Sequence, residues 1–147
     1  MASQQFWDKW LLVVGWVLSV FGLLLAFANQ TWLFDMVFNR HVNTVFWPSN
    51  VAMESIEPFQ AWIYGVLGAT VSGWGVFIVF LARQSFKRRE RWAWNCIFAG
   101  ITLWFFPDTA ISVYFGVFIN VAFNIVVATA VYLPLVATRR QFTNSNA

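Results

Sequence analysis

The stretch "WLLVVGWVLSVFGLLLAFA", residues 10–28, is nineteen residues long and contains no charged side chain. A helix needs about 20 apolar residues to cross a hydrocarbon core about 30 Å thick. Because a helix satisfies its own backbone hydrogen bonds, it is the structure that such a segment adopts in lipid. The segment therefore predicts a membrane-spanning helix.

Three more apolar segments follow. Residues 59–82 and 110–138 are free of charge over 24 and 29 positions. The segment "WAWNCIFAGITLWFF" at 92–106 has only 15 residues, but the basic stretch "FKRRER" at 86–91 can extend it, because long basic side chains reach the headgroups. We predict four spanning helices, over about 10–28, 59–82, 88–106 and 109–137, in a single domain of residues 1–147.

Composition supports the same class of protein. The chain is 60% apolar and only 10% charged, whereas a typical soluble domain is about 25% charged. Too few polar side chains remain to cover a water-facing surface. The predicted fold class is all-α, an integral membrane antiparallel four-helix bundle with an apolar interfacial outer loop between helices 1 and 2.

The basic residues predict the orientation. With four spans, both termini and the loop between spans two and three share one side. That side holds eight of the nine basic residues: Lys9, Arg83, Lys87, Arg88, Arg89, Arg91, Arg139 and Arg140. Since basic loops stay in the cytoplasm, we expect a multi-pass protein of the cell membrane with both termini cytoplasmic. Clustering at segment ends argues against a nucleic-acid partner, although the net charge is +3.

Small residues predict where the helices approach closely. Span one carries Gly15, Ser19, Gly22 and Ala26. Span two carries Ala61, Gly65, Ala69 and Gly73, with Gly68 and Ser72 beside them. Small side chains let helix backbones approach within a membrane, so we expect these rows to pack inside the chain, with a homodimer contact as the alternative. Val76 and Val79 are expected nearer to lipid.

A polar row follows Pro107. The predicted fourth span, with Asp108 at its start, carries a winding row of residues that are each four apart: Asp108, Ser112, Gly116, Asn120, Asn124, Ala128 and Tyr132. Asn120 would lie about 15 Å below Ala110, near the bilayer midplane. Two interpretations stay open, namely hydrogen bonds between helices and the floor of a polar cavity entered from outside.

The outer loop at 35–49 contains the chain's one histidine, His41, beside Arg40 and Asp35. Asp108 after Pro107 is typical of a helix N-cap, and Glu57 before Pro58 is typical of a first helical turn. Alternatively, these acids and Glu54 converge with Arg40 and His41 in one outer site. If they do not converge, the segment "NRH" at 39–41 is the solvated face of an interfacial helix. The ligand-binding candidates are Asp108, Glu57, Arg40, His41, Ser112, Asn120 and Asn124.

The scarcity of cysteine and histidine excludes several classes of function. One cysteine, Cys96, and one histidine allow neither an internal disulfide nor haem held by two histidines. We expect no cofactor and no metal. The favoured function is a non-enzymatic accessory or structural subunit. The alternatives are a binder or carrier of a lipid or small amphipathic ligand in an outward-facing cavity, and a small enzyme acting on a lipid-like substrate. The expected partners are membrane lipids and either a membrane protein or a second copy.

Overall fold

The structure, a computed structural model, describes residues 2–47 and 56–143, and it is helical throughout those ranges except at short turns. The helices are α1 (Ala2–Ala28), α2 (residues 32–46), α3 (Glu57–Leu81), α4 (Arg91–Tyr114) and α5 (Phe118–Thr143). Helix α2 consists of Trp32–Phe34, a π-helical turn Asp35–Asn39 and Arg40–Phe46, and a second π-helical turn, Ala82–Phe86, continues α3.

Four of these helices are long and apolar enough to cross a membrane. The qualifying segments are Gln5–Ala28, Glu57–Phe86, Arg91–Tyr114 and Phe118–Phe142. The prediction of four long apolar helices is therefore confirmed. The end of the predicted outer loop, residues 48 and 49, and the acid Glu54 lie outside the described residues.

The predicted boundary between the third and fourth helices is wrong. Helix α4 continues through Pro107 to Tyr114, and α5 begins at Phe118. Gly116 makes the turn with a φ of +74°, a conformation that glycine adopts without steric cost. Proline ends most helices in water, but it is tolerated inside long apolar helices, which is why Pro107 misled the prediction.

Helices α1 and α3 pack antiparallel with their backbones in close contact. A Cβ atom added to Gly22 would lie 2.5 Å from the Gly68 carbonyl oxygen, and one added to Gly75 would lie 2.5 Å from the Gly15 carbonyl oxygen. Between them the Ser19 hydroxyl donates to the carbonyl oxygens of Gly15 at 3.0 Å and Ser72 at 3.3 Å. The small row of α1 is thus an intramolecular interface, as expected.

The main row predicted on α3 is wrong in position, whereas Gly68 and Ser72, which were predicted beside it, do lie at the interface. Gly73 faces open space, Gly65 reaches only an ordinary contact of 3.9 Å, and Val79, which was expected nearer to lipid, is buried. The row actually used is Gly68, Ser72, Gly75 and Val79, with the same four, three, four spacing as the row on α1. A four, three, four row spans eleven residues, after which a helix points within about 20° of its starting direction. Three steps of four span twelve residues and drift by about 120°, so such a row does not stay on one helix face.

Helix α5 is joined to α4 and α1 by two indole hydrogen bonds. Trp94 Nε1 donates to the Leu135 carbonyl oxygen and Trp10 Nε1 donates to the Ala130 carbonyl oxygen, both at 2.9 Å. Pro134 has no N–H for the carbonyl four residues earlier, which is that of Ala130. Trp10 therefore replaces a missing helical donor while it fixes α1 against α5.

The N-terminal part of α1, the turn after α3 and the C-terminal part of α5 meet at one end of the molecule. Arg89 in this turn donates to both carboxylate oxygens of Asp8, at 2.6 and 2.9 Å. Its guanidinium carbon lies 5.7 and 5.6 Å from the ring centroids of Phe86 and Phe142. We call this the basic end, because the eight basic residues grouped by the sequence lie here. The adjoining core comprises Leu11, Ala82, Phe86, Ile97, Ile101, Val131, Leu135 and Phe142.

Candidate functional site

A cavity of about 460 Å³, here called the outer cavity, lies at the opposite end, between the end of α1, α2 and the first two turns of α3. It is lined by Asn29, Gln30, Trp32, Asp35, Asn39, Asn43, Glu57, Gln60, Ala61 and Tyr64. The lining residues of α2 that are polar, Asp35, Asn39 and Asn43, are four residues apart. Those of α3 are Glu57 and the residues three, four and seven positions after it. Both spacings place side chains on one helix face, so two polar faces enclose the cavity.

Side-chain hydrogen bonds hold α2 against the two long helices. Gln60 Nε2 on α3 donates to Asn43 Oδ1 on α2 at 2.8 Å. Asn39 Nδ2 on α2 donates to the Asn29 carbonyl oxygen, just beyond α1, at 3.0 Å. The amides therefore fix the shape of the outer cavity from both sides.

The outer cavity has an excess of negative charge and of hydrogen-bond acceptors. Asp35 and Glu57 both line it with exposed carboxylates, and among the described residues no basic side chain lines it. Asn39 is only 7% exposed, and its Oδ1 is buried without a hydrogen-bond partner. A ligand that bears positive charge and N–H donors would complement the two carboxylates, whereas almost none of the surface of Asn39 Oδ1 is accessible to a ligand.

A second polar group, here called the Asp108 cluster, joins α4 to α5. Asp108 Oδ1 accepts hydrogen bonds from Asn120 Nδ2 at 2.6 Å, from Asn124 Nδ2 at 2.8 Å and from Ser112 Oγ at 3.3 Å. Asn124 also donates to Thr109 Oγ1 at 3.2 Å. The two helices are antiparallel neighbours, so one carboxylate oxygen links both arms of the hairpin.

This arrangement corrects three predictions about the polar row. The row lies on two facing helices rather than one, because Asp108 and Ser112 precede the turn and Asn120 and Asn124 follow it. Asp108 is inside α4 and is not an N-cap. Asn120 is the third residue of α5, so it lies near a helix end rather than at the midpoint. The interpretation as interhelical hydrogen bonds agrees with the observed contacts.

The seven predicted site residues are thus divided among three places. Asp108, Ser112, Asn120 and Asn124 form the Asp108 cluster, and none of them lines the outer cavity. Glu57 lies in the first turn of α3 beside Pro58, as predicted, and lines the outer cavity.

Arg40 and His41 are exposed on α2. They follow Asn39 by one and two residues, so they point about 100° and 200° away from its direction. Neither side chain forms an ion pair with any residue in the described ranges.

Sequence reasoning missed most of the outer cavity. Its amides lie in a loop that the sequence shows as mainly apolar, and their partners are on other helices. One signal was present, because Asp35, Asn39 and Asn43 are spaced four apart within that loop. Such spacing predicts a single polar helix face.

No family model, no curated protein and no solved structure matches this chain.

Proposed function

We propose that the chain is an integral membrane protein whose four long helices span the bilayer as an antiparallel bundle, with both termini in the cytoplasm. The grouping of basic residues at one end supports this orientation. Helix α2 then lies in the outer interface. Its exposed apolar side chains support that placement, and they include Leu33, Met36, Val37 and Val45.

In this orientation the outer cavity faces the outside and binds a small amphipathic amine. The observation that carries the proposal is the pair of carboxylates, Asp35 and Glu57, in a cavity that no basic side chain of the described residues lines. The ammonium group is held by these carboxylates through charge-assisted hydrogen bonds. Trp32 at the rim supplies an aromatic face for the cation.

The size and position of the cavity support a small ligand. A volume of about 460 Å³ falls within the range of about 300–1,000 Å³ for small-molecule sites. Because α2 would lie at the interface, the apolar part of the ligand can rest against the exposed side chains of α2 while its amine enters the polar cavity. The ligand is therefore an amine with a modest apolar body rather than a whole phospholipid.

Three matched probes test this proposal, namely 2-phenylethylamine, 2-phenylethanol and phenylacetate. Binding is measured by thermophoresis of the full-length protein in nanodiscs. The amine should bind about tenfold or more tightly than the alcohol, because a charge-assisted hydrogen bond contributes about 1.5–3 kcal/mol when well shielded and less here, where the carboxylates are exposed. Phenylacetate should bind most weakly.

Two variants locate the binding site. Glu57→Gln keeps the size of the side chain but removes its charge, so it should weaken amine binding about tenfold. Glu90→Gln removes one acid at the basic end and should leave the affinity unchanged. Equal affinity for the amine and the alcohol, or equal loss in both variants, would contradict the proposal.

A second candidate is a structural accessory subunit. It is favoured by the Asp108 cluster, in which the polar side chains of α4 and α5 bond to one another. Polar groups used in this way stabilise a helix pair and leave the outer surface to contact a partner protein. Purification from native membranes in mild detergent, followed by mass spectrometry, tests this candidate. A stoichiometric membrane-protein partner together with no amine binding would favour it over the first.

A further inference from the structure

A second charged cavity, here called the inner cavity, lies at the basic end between α1 and the end of α3. Its volume is about 290 Å³. Its lining includes three basic side chains, one acid and two apolar side chains: Lys9, Arg83, Lys87, Asp8, Leu12 and Ala82. The lining of the inner cavity thus combines basic and apolar side chains.

Helix geometry brings the basic residues together. Arg83 and Lys87 are four residues apart, so they project on the same side of the chain after α3. Lys9 faces them from α1, which packs against α3 along its small-residue row. Arg83 also lies within the π-helical turn Ala82–Phe86, and such turns occur frequently at functional sites.

The positive charge of the inner cavity is not neutralised by its own carboxylate. Arg89 holds Asp8 through both carboxylate oxygens, and these two side chains are only 19% and 16% exposed. Within the described part of the chain, Lys9, Arg83 and Lys87 form no ion pair. Three like charges around one small cavity repel one another, and a bound anion would relieve that repulsion.

We propose that the inner cavity binds the phosphate of an anionic phospholipid from the inner leaflet. Lysine and arginine form strong charge-assisted hydrogen bonds to phosphate, and basic pockets between spanning helices on the cytoplasmic side bind lipid headgroups. Leu12 and Ala82 lie near the ends of the charge-free stretches 10–28 and 59–82, so the cavity lies where the apolar part of the helices meets the basic end. A lipid phosphate at this depth places its acyl chains along the helices, whereas a free phosphate gains nothing from the apolar wall.

Native mass spectrometry of the full-length protein tests this proposal with equimolar dioleoyl phosphatidylglycerol and dioleoyl phosphatidylcholine. The protein should retain one phosphatidylglycerol in preference to phosphatidylcholine. The double variant Lys9→Gln/Arg83→Gln should reduce this preference roughly 30-fold, since each basic side chain contributes about a fivefold effect on anionic lipid.

Matched variants separate a site from a general surface potential. Arg88→Gln/Arg91→Gln removes the same charge from the same end, but neither residue lines the inner cavity, so the lipid preference should be kept. The charge-conserving Lys9→Arg/Arg83→Lys should also keep it, because the site requires positive charge at these two positions, and an unchanged circular dichroism spectrum of the glutamine variant checks that it is folded.

A further arm distinguishes the lipid from a free anion. Inorganic phosphate at millimolar concentration should not displace the bound phosphatidylglycerol. Displacement by phosphate would overturn the assignment to a lipid. No preference for phosphatidylglycerol in the wild type, or an equal loss in the Arg88→Gln/Arg91→Gln control, would overturn the site itself.

Discussion

Gly68→Ala probes the close backbone contact between α1 and α3. A Cβ atom at this position would lie 2.5 Å from the Ala26 backbone nitrogen and closer still to the Gly22 carbonyl oxygen. Carbon atoms pack favourably at about 3.5–4.0 Å. Both obstructing atoms are backbone atoms of α1, which cannot rotate away as a side chain would. Helices α1 and α3 must therefore move apart by about 1 Å to accept one methyl group.

Two opposing effects set the magnitude. Forcing an extra methyl group into a packed interface costs about 1–3 kcal/mol, and the rigid backbone obstruction places this variant at the upper end. Replacing glycine by alanine within a helix returns about 1 kcal/mol. The net effect should be a loss of about 1–2 kcal/mol in the free energy of unfolding. Gly73→Ala on the same helix meets nothing within 4 Å, so it should gain up to about 1 kcal/mol.

Unfolding by sodium dodecyl sulfate in mixed micelles, followed by circular dichroism, measures both variants against the wild type. The two alanine variants should differ by about 2–3 kcal/mol, although they lie only five residues apart. Gly75→Ala should resemble Gly68→Ala, because its Cβ would meet α1 in the same way. Equal unfolding midpoints for Gly68→Ala and Gly73→Ala would refute the close packing of α1 against this face of α3.

Three further substitutions probe the other contacts in the same assay. Arg89→Lys keeps the charge but loses the two-point hydrogen bond to Asp8 and the planar contact with two aromatic rings. It should lower the free energy of unfolding by about 1–3 kcal/mol. An unchanged midpoint would show that this ion pair does not hold the basic end together. Asn124→Leu removes a donor to the Asp108 carboxylate and should lower the free energy of unfolding by about 1–2 kcal/mol. Amine binding at the outer cavity should stay unchanged. A large loss of amine binding would instead connect the two sites. Trp10→Phe should lower the free energy of unfolding by about 1 kcal/mol. The loss should be smaller in a Pro134→Ala background, where the Ala130 carbonyl oxygen regains its helical donor. Purely additive effects would show that Trp10 does not replace that donor.

The candidate site was only partly predictable. Asp108, Ser112, Asn120 and Asn124 were selected because polar groups in apolar helices must find partners, and the structure does bring them together. Their mutual contact arises from two helices rather than one winding row. The amides of the outer cavity escaped prediction, because short polar side chains in a loop acquire meaning only when the loop folds back on other helices.

The sequence by itself determined the number of long apolar helices, the grouping of basic residues at one end and the small-residue row of α1. These are properties of length, composition and spacing within a single segment, and lipid or water acts on each segment separately. The first turn of α3, with Glu57 beside Pro58, was readable for the same reason.

Only the tertiary structure decided where α4 ends, which face of α3 is buried and which polar groups meet. Signals for helix ends compete, and the glycine turn at Gly116 prevailed over Pro107 because an apolar helix tolerates an internal proline. The small row of α1 is spaced four, three, four, and α3 repeats that spacing at Gly68, Ser72, Gly75 and Val79, whereas the rejected row is spaced four, four, four. A helix face becomes an interface only when the opposing backbone fits it, and that fit is a property of two segments together.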